Sequence, residues 1–151
     1  MREFRRSLPM SLLRAREAVM KKFMPHLREH DLSAQQWRVL RALYDADSEL
    51  EMNEVAERCY LLMPSLSRIV QNLVARKLMS RRTSDTDQRR TLLRISEAGK
   101  ALVKVMAPQS ERRYEHIQEV FGYGKLELLY ELLDELTEKL QDPQERDSRD
   151  Q

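Results

Sequence analysis

Apolar residues recur along the chain at two periods, and the fold divides where the period changes. From Ser7 onward, Leu8, Leu12, Val19, Phe23 and Leu27 keep close to the 3.6-residue period of a long helix. Pro25 lies inside that pattern and predicts a kink, because proline cannot donate to the carbonyl of residue 21. Met1–Arg6 ahead of the helix reads as a frayed basic arm. Leu32 and Ser33 open a second helix, with Ser33 a good N-cap and Trp37, Leu40, Leu43 and Tyr44 as its buried face. Asp45–Ser48 is a polar break. A short helix over Met52–Cys59 then buries Met52, Val55, Ala56 and Cys59.

Pro64 suits the first turn of the next helix. Leu66, Ile69, Val70 and Leu73 turn inward there, while Ser65, Ser67, Arg68, Gln71 and Asn72 turn mostly outward. Thirteen residues make a rod of about 20 Å, long enough to lie in a major groove. After Leu78 the period drops toward two. Met79–Thr83 and Thr91–Ile95 are strands flanking a polar tip, Ser84–Arg90, which together form a β-hairpin with a long basic loop. Ser96 caps a further helix with Glu97 in its first turn. It runs through Leu102, Val105 and Met106 to Ile117 and Val120, with a bend expected at Pro108. Phe121–Gly124 is a break, and the last helix carries Leu126, Leu129, Leu132, Leu133, Leu136 and Leu140. From Gln141 the chain has no apolar residue, so 141–151 is expected to be a disordered tail.

Composition narrows the function classes. The 151 residues contain only three glycines, Gly99, Gly122 and Gly124, and these match neither a Rossmann nor a P-loop phosphate cradle. No apolar run approaches the roughly 18 residues of a membrane span, and no apolar signal segment opens the chain. One cysteine cannot build an internal disulfide framework, which fits a reducing cytoplasm. Catalytic groupings are lacking too: there is no Ser-His-Asp set and no paired buried acids, so an enzyme is not expected and no cofactor is implied.

The net charge of +2 conceals a strong pattern. Residues 58–94 carry nine Lys or Arg against Asp85 and Asp87, whereas residues 31–57 carry two against seven acids. The basic block is either a solvated face or the footprint of a polyanion. Its organisation decides between them, because two short helices followed by a basic hairpin are the parts of a winged helix-turn-helix. Ser65, Ser67, Arg68 and Gln71, with Pro64 opening the helix, supply groups to the major groove. Arg81, Arg82, Arg89 and Arg90 supply guanidinium groups from the hairpin to the backbone or minor groove. The flanking helices have more apolar surface than this small domain could cover. Pairing across a two-fold axis would bury it and would match palindromic double-stranded DNA; an intrachain bundle is the other solution.

The expected fold is therefore mainly α with a small β-hairpin wing, a winged helix-turn-helix embedded in a helical dimerisation domain. Residues 31–99 would bind DNA, and residues 7–30 and 100–140 would form the homodimer.

Over roughly Ser7–Leu140 the chain resembles the MarR (multiple antibiotic resistance regulator) family. Asp87-Gln88-Arg89 followed by Leu93-Arg94-Ile95-Ser96-Glu97-Ala98-Gly99 is similar to that family's wing signature, with Ile95-Ser96 in place of its Leu-Thr pair. The resemblance implies that Arg89 is the wing-tip DNA contact and that Asp87 steadies the wing. Leu12–Ala18, Gln35–Arg38 and Met63–Ser67 resemble the branch that governs homoprotocatechuate (4-hydroxyphenylacetate) degradation. That branch implies repression of a catabolic operon and release by a small aromatic carboxylate. The family usually has glycine where this chain has Lys77, between the recognition helix and the hairpin. Either the turn is reshaped or a left-handed lysine is tolerated at about 1 kcal/mol.

Several side chains keep two readings. Arg16 shares a helical stripe with Leu12, Val19, Phe23 and Leu27, so it either clamps an effector carboxylate or makes a structural ion pair. Trp37, with Arg38 and Arg41 nearby, either walls the same effector pocket or belongs to the core. His26 and His30 stand four apart, but no Glu or Cys completes a metal set, and surface or cap roles are expected. Cys59 lies on an inward helical face and reads as core, with a redox-responsive regulator as the alternative. A helical interaction protein with an acidic partner is the remaining alternative; it would show no preference among DNA duplexes.

Overall fold

A computed structural model describes residues 3–141. Among these, six α-helices and three short strands follow in the order α1 (Leu8–Glu29), α2 (Ala34–Ala46), β1 (Leu50–Glu51), α3 (Met52–Cys59), α4 (Met63–Ala75), β2 (Met79–Thr83), β3 (Thr91–Ile95), α5 (Glu97–Phe121) and α6 (Tyr123–Leu140). Residues up to Ser110 form one compact unit and residues from Glu111 onward a second. The expected tail 141–151 falls outside the described residues, apart from Gln141 at the end of α6.

The first unit is built on the apolar positions that periodicity picks out. Leu27, Leu40, Leu43, Leu66, Leu73 and Leu93 are completely buried. Each contributes about 2 kcal/mol of burial, more than an exposed ion pair supplies. On α4 the buried set is Leu66, Ile69, Val70 and Leu73, as expected. On α2 it is Val39, Leu40 and Leu43, whereas Trp37 and Tyr44 are only half-buried at the margin of the core. Met52 is likewise half-buried, because it is the first residue of α3 and stands at the rim.

Local chemistry sets the element ends. Ser33 and Gln36 form a reciprocal capping box at the start of α2, the Ser33 amide donating to Gln36 Oε1 at 2.9 Å and the Gln36 amide to Ser33 Oγ at 3.0 Å. The same Gln36 side chain donates through Nε2 to Asn72 Oδ1 (3.0 Å), so the cap of α2 also holds α4. With glycine so scarce, other residues take the left-handed conformation that ends helices: Asp31 after α1, Asp47 after α2, Tyr60 after α3 and Lys77 after α4, with φ of 52°, 46°, 51° and 61°. The turn before the wing is therefore not reshaped, and a lysine occupies its strained position.

The three strands form an antiparallel sheet in the order β1-β3-β2, in which Leu50 faces Leu93 and Met79 faces Ile95. Alternation places Leu50, Met79, Leu93 and Ile95 on the core side. The two-residue β1 is too short to register as a period, which hides it from the sequence. Gly99 lets α5 start against this sheet: a Cβ there would stand 2.1 Å from the Leu78 carbonyl oxygen.

Several expectations need correction. Residues 4–6 form a 3-10 turn rather than a frayed arm, closed by the Arg6 amide on the Glu3 carbonyl (2.9 Å). Pro25 and Pro108 end neither α1 nor α5, and the expected bends require neither break, because both sit on exposed positions where one lost hydrogen bond is tolerated. Of the α1 stripe Phe23 and Leu27 are buried, while Leu8, Leu12 and Val19 are exposed, in keeping with a helix that has more apolar surface than the small domain covers. The Asp45–Ser48 break begins only at Asp47, and the Phe121–Gly124 break is a single residue, Gly122, with φ of 109°. His26 is buried, its Nε2 3.3 Å from Ser110 Oγ and its ring tilted against Phe23, so it is a core residue rather than a surface one.

Candidate nucleic-acid interface

Helix α4 starts with Leu62 in the N-cap position, which offers no side-chain acceptor. Pro64 has no N–H and the Leu66 amide donates to the Leu62 carbonyl, which leaves the Met63 and Ser65 amides for an outside acceptor, and a phosphate suits that need. Pro64, Ser67, Arg68 and Gln71 are exposed and Ser65 is half-buried, so the polar face that periodicity assigns to α4 is available to a ligand.

The hairpin stands beside it. Its ladder extends beyond the strands through the Ser84 amide on the Arg90 carbonyl (2.9 Å), and the tip closes with the Arg90 amide on the Asp87 carbonyl (3.0 Å). Asp87 Oδ1 accepts from the Arg89 amide at 3.0 Å, which holds the tip in the shape that presents Arg89. All four wing arginines are exposed, but their commitments differ. Arg82 is paired with Glu49 and Asp85, and Arg90 with Glu51 and Asp87. Arg81 and Arg89 carry no side-chain ion pair among the described residues.

Strand alternation turns Arg81 toward α4. With Ser67, Met52, Arg82, Thr83 and Thr91 it lines a cleft of about 390 Å³ between the reading helix and the wing. Hydroxyl groups and a guanidinium facing one cleft are a fitting seat for a backbone phosphate. Thr83 and Thr91 were not singled out in the sequence. Their signal was the shared parity of Met79, Arg81 and Thr83 along β2.

The effector candidates lie elsewhere. The Arg41 guanidinium stands 5.8 Å over the Trp37 ring and its Nη2 reaches Asp45 at 3.3 Å. Arg41 Nε is buried without a hydrogen-bond partner. Arg38 serves the fold, because its Nη1 donates to the Cys59 carbonyl at the end of α3. Arg16 is half-exposed and paired with its neighbour Glu17 at 3.1 Å. Trp37 and Arg41 are therefore brought together, whereas Arg16 and Arg38 each take a different partner.

Cys59 is fully buried, its Sγ 3.6 Å from the Arg38 carbonyl. Burial pushes the thiol above its ordinary value, with Arg38 and Arg58 opposing the shift. A redox sensor needs the opposite, an accessible and acidified thiol. Among the described residues no group of three metal-ligating side chains occurs, and no helix is long and apolar enough to cross a membrane.

Comparison with known proteins settles the lineage. The MarR family model matches residues 30–90. The transcriptional regulator FarR of Neisseria gonorrhoeae is 35% identical over 136 residues, covering 90% of this chain and 92% of FarR. The chain belongs to the MarR family. Another MarR relative, the homoprotocatechuate degradative operon repressor of Escherichia coli, is 35% identical over 129 residues, 85% of this chain and 86% of the repressor. The crystal structure of NadR in complex with 4-hydroxyphenylacetate superposes with a TM-score of 0.76 at 34% identity, over 90% of this chain and 96% of NadR. The winged helix-turn-helix read from the sequence is thus the MarR fold.

Proposed function

We propose that this protein is a homodimeric, cytoplasmic transcriptional repressor that binds palindromic DNA upstream of an aromatic-acid catabolic operon and leaves it when a hydroxyphenylacetate-type acid binds. It acts by binding alone, with no chemical step. The observation that carries the reading is the pairing, in one unit, of an uncapped polar helix α4 with a basic wing whose Arg81 and Arg89 are uncommitted. Ser65, Ser67, Arg68 and Gln71 enter the major groove, Pro64 shapes the helix start, and Arg81 and Arg89 take backbone or minor-groove positions.

Exposed apolar side chains supply the dimer surface: Leu8, Leu12 and Leu13 on α1, and Leu128, Leu129 and Leu132 on α6. The relatives named for homoprotocatechuate degradation and for a 4-hydroxyphenylacetate complex support the effector class. Trp37 and Arg41 give that acid a ring face and a guanidinium with an unmatched donor, while Arg16 lies on α1 and Arg38 on α2. The bound acid favours a dimer whose two α4 helices no longer match major grooves about 34 Å apart.

Fluorescence anisotropy on labelled DNA from upstream of the protein's own gene tests this, with homoprotocatechuate titrated at fixed salt. Tight binding released by the acid is expected. Binding no tighter than to scrambled DNA would refute the repressor reading.

A further inference from the structure

The four wing arginines are divided two and two. Arg82 meets Glu49 side by side, Nε to Oε1 and Nη2 to Oε2, both at 2.8 Å. Its Nη1 also reaches Asp85 at 3.3 Å. Arg90 Nη1 lies 3.0 Å from Glu51 Oε1, and its Nε 3.7 Å from Asp87. Glu49 and Glu51 belong to the segment that passes through β1 into α3, the first helix of the helix-turn-helix. The sheet joins the partners: Glu51 faces Leu92, and Leu92 faces Arg82. The two glutamate side chains are only 29% and 31% exposed, against 92% for Asp85 at the tip. Glu51 is further fixed by its backbone amide, which donates to Glu54 Oε2 at 2.8 Å.

We propose that Glu49 and Glu51 are positioning residues for DNA recognition. By taking up Arg82 and Arg90 they clasp the wing to the start of the helix-turn-helix, so that Arg81 and Arg89 meet the DNA at a set distance from α4. The proposal rests on the DNA-binding reading above and moves Arg82 and Arg90 from contact to support. An isolated exposed ion pair does little, but a two-pronged Arg–carboxylate pair inside a charge network is the recognised exception. The arrangement is otherwise a liability, because acids beside a phosphate-binding surface repel the ligand. A merely screening role for the two glutamates therefore predicts the opposite sign on their removal.

The test uses the full-length protein carrying Glu49→Gln with Glu51→Gln, and Glu49→Gln alone as a milder variant. Each is measured on a duplex that the wild type selects from a randomised pool and on a scrambled duplex of equal composition. Losing two negative charges should by itself tighten both duplexes. The clasp instead predicts that the selected duplex binds about five-fold more weakly while the scrambled one binds no worse, with the single variant intermediate. Charge exchange, Glu49→Arg with Arg82→Glu, should recover selectivity that Glu49→Arg alone loses. In DNA-free protein, the Ser84 amide should exchange its hydrogen faster in the double variant, because its partner Arg90 has been released. Equal tightening on both duplexes, or unchanged Ser84 exchange, would overturn the clasp. A wild type that selects no duplex would overturn the DNA reading instead, and Ser84 exchange would still decide the clasp.

Discussion

The Ser96 hydroxyl donates a 2.7 Å hydrogen bond to the carbonyl oxygen of Lys77, fastening the cap of α5 to the left-handed residue that ends α4. The same Ser96 Oγ accepts from the Gly99 amide at 3.0 Å. Two further bonds close the turn, the Lys77 amide on the Val74 carbonyl and the Leu78 amide on the Leu73 carbonyl. This turn sets where the wing leaves the reading helix.

Lysine in that left-handed position should cost about 1 kcal/mol. Lys77→Gly is expected to raise stability by up to about that amount, less the added freedom of the unfolded chain. Thermal unfolding measures it. A lower melting temperature would mean that the Lys77 side chain contributes more than its backbone strain removes.

Gly99→Ala should act strongly in the other direction. The new methyl would press on the Leu78 carbonyl oxygen and on Ile95 Cγ1, the latter at 2.7 Å. The loss should be about 2 to 3 kcal/mol in urea unfolding, since backbone at that distance cannot turn aside.

Arg89→Ala should weaken operator binding about ten-fold and reduce the salt slope by about one. Arg41→Ala and Arg16→Ala should spare DNA binding and blunt release by homoprotocatechuate. Anisotropy titrations of the three variants separate the roles. Equal loss of DNA affinity in all of them would show that reading and sensing are not divided in this way.

Cys59 should resist oxidant. Its raised pKa means that the folded protein disfavours the thiolate, and any stability gained is lost as pH rises through the folded value. At neutral pH hydrogen peroxide should leave operator affinity unchanged, and iodoacetamide should label Cys59 rapidly only in denaturant. Mass spectrometry after timed labelling reads this directly.

The hydrogen bond from Arg82 holds the Glu49 carboxyl below its ordinary range. A depressed folded pKa means that the pairing is fully present above the unfolded pKa and is lost as pH falls through the folded one. The preference for the selected duplex over the scrambled one should therefore differ between wild type and Glu49→Gln at neutral pH. The two should converge in acid, once the pH falls below the lowered folded value of Glu49.

Much of this fold was legible because apolar burial dominates it. The inward faces of α4 and of β3 follow from period alone, since each is decided by more than one buried side chain, Leu66, Ile69, Val70 and Leu73 on the helix and Leu93 and Ile95 on the strand. What escaped the sequence depends on single contacts between distant segments. The two-residue β1 exists because Leu50 finds Leu93, and the split among the arginines exists because Glu49 and Glu51 lie within reach. Neither partner is visible from the local run of residues. His26 escaped for the same reason: its burial depends on Ser110, 84 positions away.

The shortage of glycine has a mechanical consequence. The first 98 residues contain none, and all four helices α1 to α4 within that stretch stop on left-handed turns that carry full side chains, at Asp31, Asp47, Tyr60 and Lys77. A backbone with so few soft joints stores little motion inside the reading head. A signal arriving at α1 or α2 is thus expected to travel as the displacement of a stiff body, so that the spacing between the two heads of a dimer, rather than the shape of either, carries the message.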